Sequence, residues 1–360
     1  MVVGSDVEEL ARGLAGVAGA AAAPANSAAR VGLLFTGQGA QWPGMGSGLC
    51  GFGVFREAFG EVCAGFDGLL SRSLGEVLGE GGEVVHQTEF AQAGLFAFEV
   101  AVFRLLRAWG VEPGVLVGHS VGEVAAAYCA GVWSLGDACR LVAARGRLMQ
   151  ALPAGGVMVS LRGSLAEVEA LLGDVPQVAV AAVNGPRSVV ISGAGQRVDE
   201  LVARWEAGGG RARRLTVSHA FHSPLMEPML DDFACVTREL DYRPPQIPLV
   251  SNVTGEVAEA ATVCDPGYWV RHVREPVRFA DGVWAARSAG VSVFMEVGPA
   301  AVLSVMGQEC LPDDPVTWSA LSRGPQAPAE ALLSGVGAAF AAGAEVQWRQ
   351  VFAGAGGRRV

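Results

Sequence analysis

Apolar positions fall into runs of two kinds. Short runs bounded by Gly, Pro or Ser read as buried strands: "VGLLFT" at 31–36, "VLVG" at 115–118, "IPLVS" at 247–251 and "VSVFMEV" at 291–297. One long run, "TEFAQAGLFAFEVAVFRLLRAWG" at 88–110, is apolar on nearly every side and stops at a glycine, as a largely buried helix would. The residues after Ser120 predict a second helix to about Ala130. A third starts near 135, with Ser134 placed to cap it and Asp137 in its first turn. From 156 to 217 the rhythm becomes strand, helix, strand, strand, helix, strand, the ferredoxin-like order. The α/β rhythm then resumes, with helices predicted from 224 and near 280. The expected organisation is one α/β domain carrying a small α+β insertion.

Composition narrows this picture. The chain has 360 residues and is 51% hydrophobic, enough for a large core in one big domain or two. Its net charge of -10 argues against a nucleic acid partner. All 26 basic residues are arginine, which excludes a Schiff-base or P-loop lysine. The seven cysteines are scattered, with no CxxC pair, so reduced thiols in the cytoplasm are expected, with neither a disulfide frame nor a metal site. No apolar run is long enough to span a bilayer. The Ala-rich start has Asp6, Glu8 and Glu9 where a signal peptide needs positive charge, so residues 1–30 are read as a linker. The tail 346–360 is read as a linker too.

Chemistry concentrates at "VGHSVGEVAAA" (117–127), where Ser120 stands between Gly118 and Gly122 at a predicted strand-to-helix junction. A nucleophile elbow needs small flanking residues there, because the serine sits on a sharp turn. A glycine-rich turn without chemistry has the same pattern. Among the histidines, His222 precedes Ser223-Pro224, a helix start that would hold its ring and keep it neutral, as a base requires. A capping histidine fits that position equally well. Arg145 lies on the apolar stripe of Ala138, Leu141, Val142, Leu148 and Met149, with no acid at 141 or 149. A buried guanidinium must meet an anion, which is either a distant carboxylate or a ligand's. The turn "GQGAQW" at 37–42 fails the dinucleotide pattern at Trp42, but its N–H groups suit an oxyanion hole.

Together these stretches resemble the acyltransferase domain of a modular polyketide synthase, a family related to malonyl-CoA:acyl carrier protein transacylase. The matching segments are "FTGQGAQWPGMG", "QTEFAQAGLFAFEVA", "GHSVGEVAAAYCAGVWSL", "RGRLMQ", "AAVNGPRSVVISG", "SHAFHSPLMEPM", "YWVRHVREPVRF" and "MEVGPAAVL". The resemblance implies an α/β-hydrolase-like large subdomain over 31–155 and 218–345, with a ferredoxin-like small subdomain over 156–217. It implies Ser120 as acylated nucleophile and His222 as base. Arg145 would hold the malonyl carboxylate, Gln38 and Val121 would lend N–H groups to the oxyanion, and Gln92 would line the acyl pocket. The relay carbonyl falls by motif on His272, where the family usually has Asn or Gln. Ala93 replaces a frequent proline. His219 and Phe221 in "HAFH" resemble the malonyl-selecting members. No bound cofactor or metal is implied. The substrate would be malonyl-CoA, and the partners an acyl carrier protein, which brings its own phosphopantetheine, and a flanking ketosynthase.

Two rivals stand beside that reading. A serine hydrolase or thioesterase of α/β-hydrolase type places a catalytic acid between Ser and His, and no acid here has such a motif. An inactive docking domain would have no need of Ser120, His222, Gln92 and Arg145 together.

Overall fold

The computed structural model describes residues 29–353, together with residues 8, 11 and 12. In chain order the strands among them are β1 (Arg30–Phe35), β2 (Pro113–Gly118), β3 (Gly156–Leu161), β4 (Val178–Gly185), β5 (Ser188–Ala194), β6 (Ala212–Arg214), β7 (Leu249–Val250), β8 (Val291–Glu296) and β9 (Thr317–Ala320). The first sheet has the order β7-β2-β1-β8-β9, and every pairing in it is parallel. Its strands are short apolar runs without alternation because helices cover both faces. The helix Thr88–Ala108 is buried along almost its whole length, as its all-round apolarity requires.

The second sheet is antiparallel, in the order β4-β5-β3-β6. With helices Leu165–Leu172 and Gly195–Ala207 in the two crossovers, this is the ferredoxin-like arrangement. Its strands alternate, and the alternation divides two environments. Val159, Leu161, Val189 and Ile191 pack under the two helices with Val168, Val198 and Leu201. Met158, Val190 and Ala182 point the other way, into the core shared with the large sheet. A short parallel bridge joins the two bodies: Val183 N–H donates to Val277 O at 2.8 Å and Val277 N–H to Ala181 O at 2.9 Å.

Local signals hold in detail. Ser134 caps the helix Leu135–Gln150, its Oγ accepting from Asp137 N–H at 3.1 Å. Ser223 caps the element after His222, with Pro224 at the first position, but that element begins as a 3₁₀ turn, Pro224–Met229. Pro228 has no N–H for an α-helical bond, so the α-helix starts only at Leu230–Arg238. Helices Gly53–Gly65 and Pro266–Arg274 have no counterpart among the elements read from the sequence. Apart from residues 8, 11, 12, 29 and 30, the expected linker 1–30 lies outside the described residues, as do 354–360 of the expected tail. Within that tail span, Trp348–Val351 is a short helix with Val351 buried, and Gln347 N–H donates to Trp109 O at 2.7 Å.

Candidate active site

The site forms where β2 gives way to the helix Val121–Cys129. Ser120 is the hinge residue, with φ 53 and ψ -121, a left-handed conformation that costs a non-glycine residue roughly 1–3 kcal/mol. The surrounding glycines make the turn possible. A Cβ on Gly118 would lie 2.1 Å from Glu123 N, and one on Gly122 would lie 2.2 Å from Phe35 O. The spacing Gly-x-Ser-x-Gly is therefore a steric requirement of this turn. Asn252 clasps it from beside the end of β7: its Oδ1 accepts Ser120 N–H and its Nδ2 donates to Gly118 O, both at 2.7 Å. Asn252 N–H in turn donates to the buried Glu123 carboxylate at 2.8 Å, which also accepts the Tyr268 hydroxyl.

His222 meets the serine from the other side. Its Nε2 is 2.7 Å from Ser120 Oγ, and its Nδ1 is 2.8 Å from the Glu275 carbonyl oxygen. A carbonyl only accepts, so the ring proton resides on Nδ1 and Nε2 is left to accept from Ser120. The residue also has positive φ, at 55. Burial pushes its pKa well below the usual value, with the Arg145 and His272 charges adding to the effect. The sequence reading attributed a neutral ring to the helix start; desolvation is the larger cause.

The carbonyl behind His222 corrects the sequence reading, which put it on His272. Glu275 follows the last residue of the helix Pro266–Arg274 and is extended, with φ -74 and ψ 154, so its C=O turns out of the helical ladder toward the ring. His272 is still inside that helix. Its ring is buried, with Nε2 at 3.2 Å from Glu123 Oε2 but not aligned for a hydrogen bond.

Arg145 is 2% exposed. It donates to Gln92 Oε1 at 2.7 Å and to Ser120 Oγ at 3.1 Å, and its Nε has no partner. Among the described residues no carboxylate lies within ion-pair distance of it, so the distant-acid alternative does not hold. Burial pushes its pKa down to about 9, with the charge of Glu123 opposing the shift. At neutral pH it remains a cation, without a local counter-ion, beside the serine. Gln92 is buried and continues the chain of contacts, its Nε2 reaching Gln38 Oε1 and Met149 Sδ, each at 3.3 Å.

A cleft of about 540 Å³ opens over Ser120 and His222, walled by Gln38, Phe221 and Met306 among others. Among the described residues, neither Gln38 N–H nor Val121 N–H has an internal acceptor, so both donors remain available beside the serine. Phe221 contributes to the wall, but His219 does not. The His219 ring is tied back to Leu152 O and Ser218 Oγ, each at 3.0 Å. His119 turns away from Ser120, as its adjacency demands, and meets Asn184 Oδ1 at 2.8 Å. The loop that carries Gln38 is also held from behind. Glu99 Oε1 accepts Thr36 N–H and Thr36 Oγ–H, both at 2.6 Å, and burial pushes that carboxyl up to about 8.

Sequence reasoning missed Asn252, Glu123, Asn184 and Glu99. Asn252 had one usable signal: it follows a short strand in an α/β pattern, and the carboxyl ends of parallel strands are where such folds build sites.

A strained serine paired with a histidine over a parallel α/β core, and a ferredoxin-like layer bordering the same cleft, place the protein among α/β-hydrolase-like folds with a small inserted subdomain. The family model for the acyl transferase domain matches residues 33–332, and the chain belongs to that family. It is 50% identical to polyketide synthase GfsA of Streptomyces halstedii over 98% of the chain, and 48% identical to mycoketide-CoA synthase of Mycobacterium tuberculosis, also over 98%. The chain spans only 5% and 9% of those two proteins. Among solved structures it resembles the acyltransferase domain from the second module of the salinomycin polyketide synthase, with TM-score 0.92 and 45% identity, covering 100% of this chain and 87% of that one. It also resembles the malonyl-CoA:acyl carrier protein transacylase of Xanthomonas oryzae, with TM-score 0.77 and 33% identity, covering 86% of this chain and 99% of that one.

Proposed function

We propose that the chain is a malonyl-loading acyltransferase of a cytoplasmic polyketide synthase, working beside a ketosynthase. It takes malonyl from malonyl-CoA onto Ser120 and passes it to the phosphopantetheine thiol of an acyl carrier protein. In this reading the catalytic body is 31–155 with 218–345, and 156–217 is the small subdomain. The observation that carries the proposal is Arg145: a buried guanidinium 3.1 Å from Ser120 Oγ, with no carboxylate within ion-pair distance among the described residues. Its free hydrogen-bonding capacity and charge suit an acyl group that ends in a carboxylate.

The steps follow from the geometry. His222 Nε2 takes the Ser120 proton as Oγ attacks the thioester carbon, and Glu275 O steadies the imidazolium through Nδ1–H. Gln38 N–H and Val121 N–H receive the oxyanion. The carbon–sulfur bond breaks, His222 returns the proton to the sulfur of coenzyme A, and the malonyl-serine ester remains. The carrier thiol then gives its proton to His222 and attacks that ester, and the proton goes back to Ser120. No bound cofactor or metal takes part. A hydrolase reading is not favoured: the partner of His222 Nδ1 is a backbone carbonyl where a lipase-like triad has an acid. With malonyl-CoA and phosphopantetheinylated carrier protein, the malonyl group is expected on the carrier and little free malonate. Steady release of malonate, with none on the carrier, would overturn the proposal in favour of hydrolysis.

Extender choice is assigned to Phe221, whose ring walls the cleft beside His222. A methyl on the α-carbon would crowd that ring, an effect worth about 1–3 kcal/mol. Wild type is expected to prefer malonyl-CoA over methylmalonyl-CoA, and Phe221→Ser to narrow the gap. Competition between the two CoAs, read by intact mass, checks both. Equal loading by wild type would remove the malonyl assignment, and an unaltered ratio in the variant would remove the steric account. His219, held by Leu152 O, bears on selectivity only through its packing on Phe221, with ring centroids 6.2 Å apart.

A further inference from the structure

A second hollow lies outside the catalytic cleft. It has a volume of about 790 Å³ and is built entirely by the ferredoxin-like layer, between the helices Leu165–Leu172 and Gly195–Ala207. Four exposed arginines surround it: Arg162, Arg187, Arg204 and Arg211. Among the described residues none of the four has a carboxylate within ion-pair distance. Glu167 is the acid in the wall, and its carboxylate is engaged by Ser164 N–H and Ser164 Oγ–H, both at 2.7 Å. Trp205 forms the floor, with its Nε1–H donating to Arg211 O at 3.1 Å. The backbone closes tightly on that ring: a Cβ on Gly210 would lie 2.3 Å from Trp205 Nε1, and one on Gly163 would lie 2.6 Å from the ring edge. The hollow is thus a shaped feature with a fixed floor and a cationic rim.

The charge is out of character for this protein. Residues 156–217 carry seven arginines against six carboxylates, whereas the whole chain is at -10. Position adds a second argument. Arg211 lines the hollow and immediately precedes the edge strand β6, whose Arg213 and Arg214 line the catalytic cleft. Two residues of strand advance about 7 Å, so hollow and cleft share a wall. A macromolecule seated on the first would hold a tethered arm at the mouth of the second.

We infer that the arginine-rimmed hollow is the docking site for an acidic face of the acyl carrier protein that receives the acyl group. The inference rests on the acyl-transfer reading of the cleft. The reaction needs one macromolecular partner, that partner must present its thiol from outside the cleft, and a rim of unpaired arginines fits carboxylates. Such rims act mostly on encounter and register, and salt weakens them.

The test separates the two halves of the reaction. In the triple variant Arg162→Glu, Arg187→Glu, Arg211→Glu, self-acylation from malonyl-CoA is expected to match wild type, and so is transfer to free pantetheine. KM for the phosphopantetheinylated carrier protein of the same module is expected to rise tenfold or more, with kcat little changed. The matching Arg→Lys triple variant should keep the wild-type KM, and added salt should raise KM in wild type more than in the Glu variant. An unchanged carrier KM in the Glu variant would overturn the docking site. Equal loss of self-acylation in that variant would overturn it too, by pointing to coenzyme A as the anion bound. If wild type does not self-acylate at all, the reading of the cleft fails first. The docking claim is then decided by NMR titration of labelled carrier protein with the wild-type and Glu-variant proteins, where equal shifts would overturn it.

Discussion

Ser120→Ala is expected to fold like the parent and to take up no acyl group from malonyl-CoA. The hydroxyl it removes donates to His222 and accepts from Arg145, at 2.7 and 3.1 Å, so the change deletes the one atom on which both groups converge. The fold does not depend on that atom. The turn is held through the backbone, by Asn252 on Ser120 N–H and Gly118 O, and by the close approach that Gly118 and Gly122 allow. Alanine strains at φ 53 about as serine does. Loss of the nucleophile should lower transfer by about 10⁴-fold or more, because serine and histidine act as a unit. Circular dichroism should match wild type while intact mass shows no adduct. An adduct of unchanged size would mean that another residue carries the acyl group.

Arg145→Ala is expected to remove most malonyl transfer while sparing acetyl transfer. On the proposed function, an acyl group without a carboxylate would leave the guanidinium unpaired, and one with a carboxylate would supply the missing counter-ion. Losing such a charge-assisted contact costs about 2–4 kcal/mol, so the malonyl-to-acetyl rate ratio should fall by roughly 30- to 1000-fold. One detail of the structure sharpens this. Gln92 loses its 2.7 Å bond from Arg145, so some slackening of the neighbouring contacts is expected for both substrates alike. Circular dichroism and thermal melting, measured alongside the rates, serve as the control for the fold. An unchanged ratio in a folded variant would make Arg145 a structural residue.

How far these residues could be read from the chain differed with the kind of signal each carries. Arg145 was legible because burial of a helix face leaves a 3.6-residue period, and a cation on that stripe breaks it. Ser120 was legible because its turn admits only glycine at two flanking positions. The ferredoxin-like order showed in the succession strand, helix, strand, strand, helix, strand over 156–217, which local apolar runs and turn residues mark without any long-range pairing. The carbonyl behind His222 was misplaced by three residues because it depends on where a helix ends and which way the next peptide turns. Asn252 follows a recognisable strand, but its role needs β7 beside β2, and which strand adjoins β2 is not set by any local pattern when the partners, Ser120 and Asn252, lie 132 residues apart. Glu99 was missed for a related reason: in an apolar helix it reads as one polar interruption, and its partner Thr36 lies 63 residues away. His219 looked like part of the acyl pocket through its neighbour Phe221, yet only one of the pair reaches the cleft.

The most direct test of the central claim is peptide mapping after a brief incubation with malonyl-CoA and, separately, with acetyl-CoA. The account predicts one malonyl group, on the peptide bearing Ser120, removed when phosphopantetheinylated carrier protein is added, with far less acetyl at the same place. Malonyl on any other residue, or acetyl loaded on Ser120 as fast as malonyl, would contradict it.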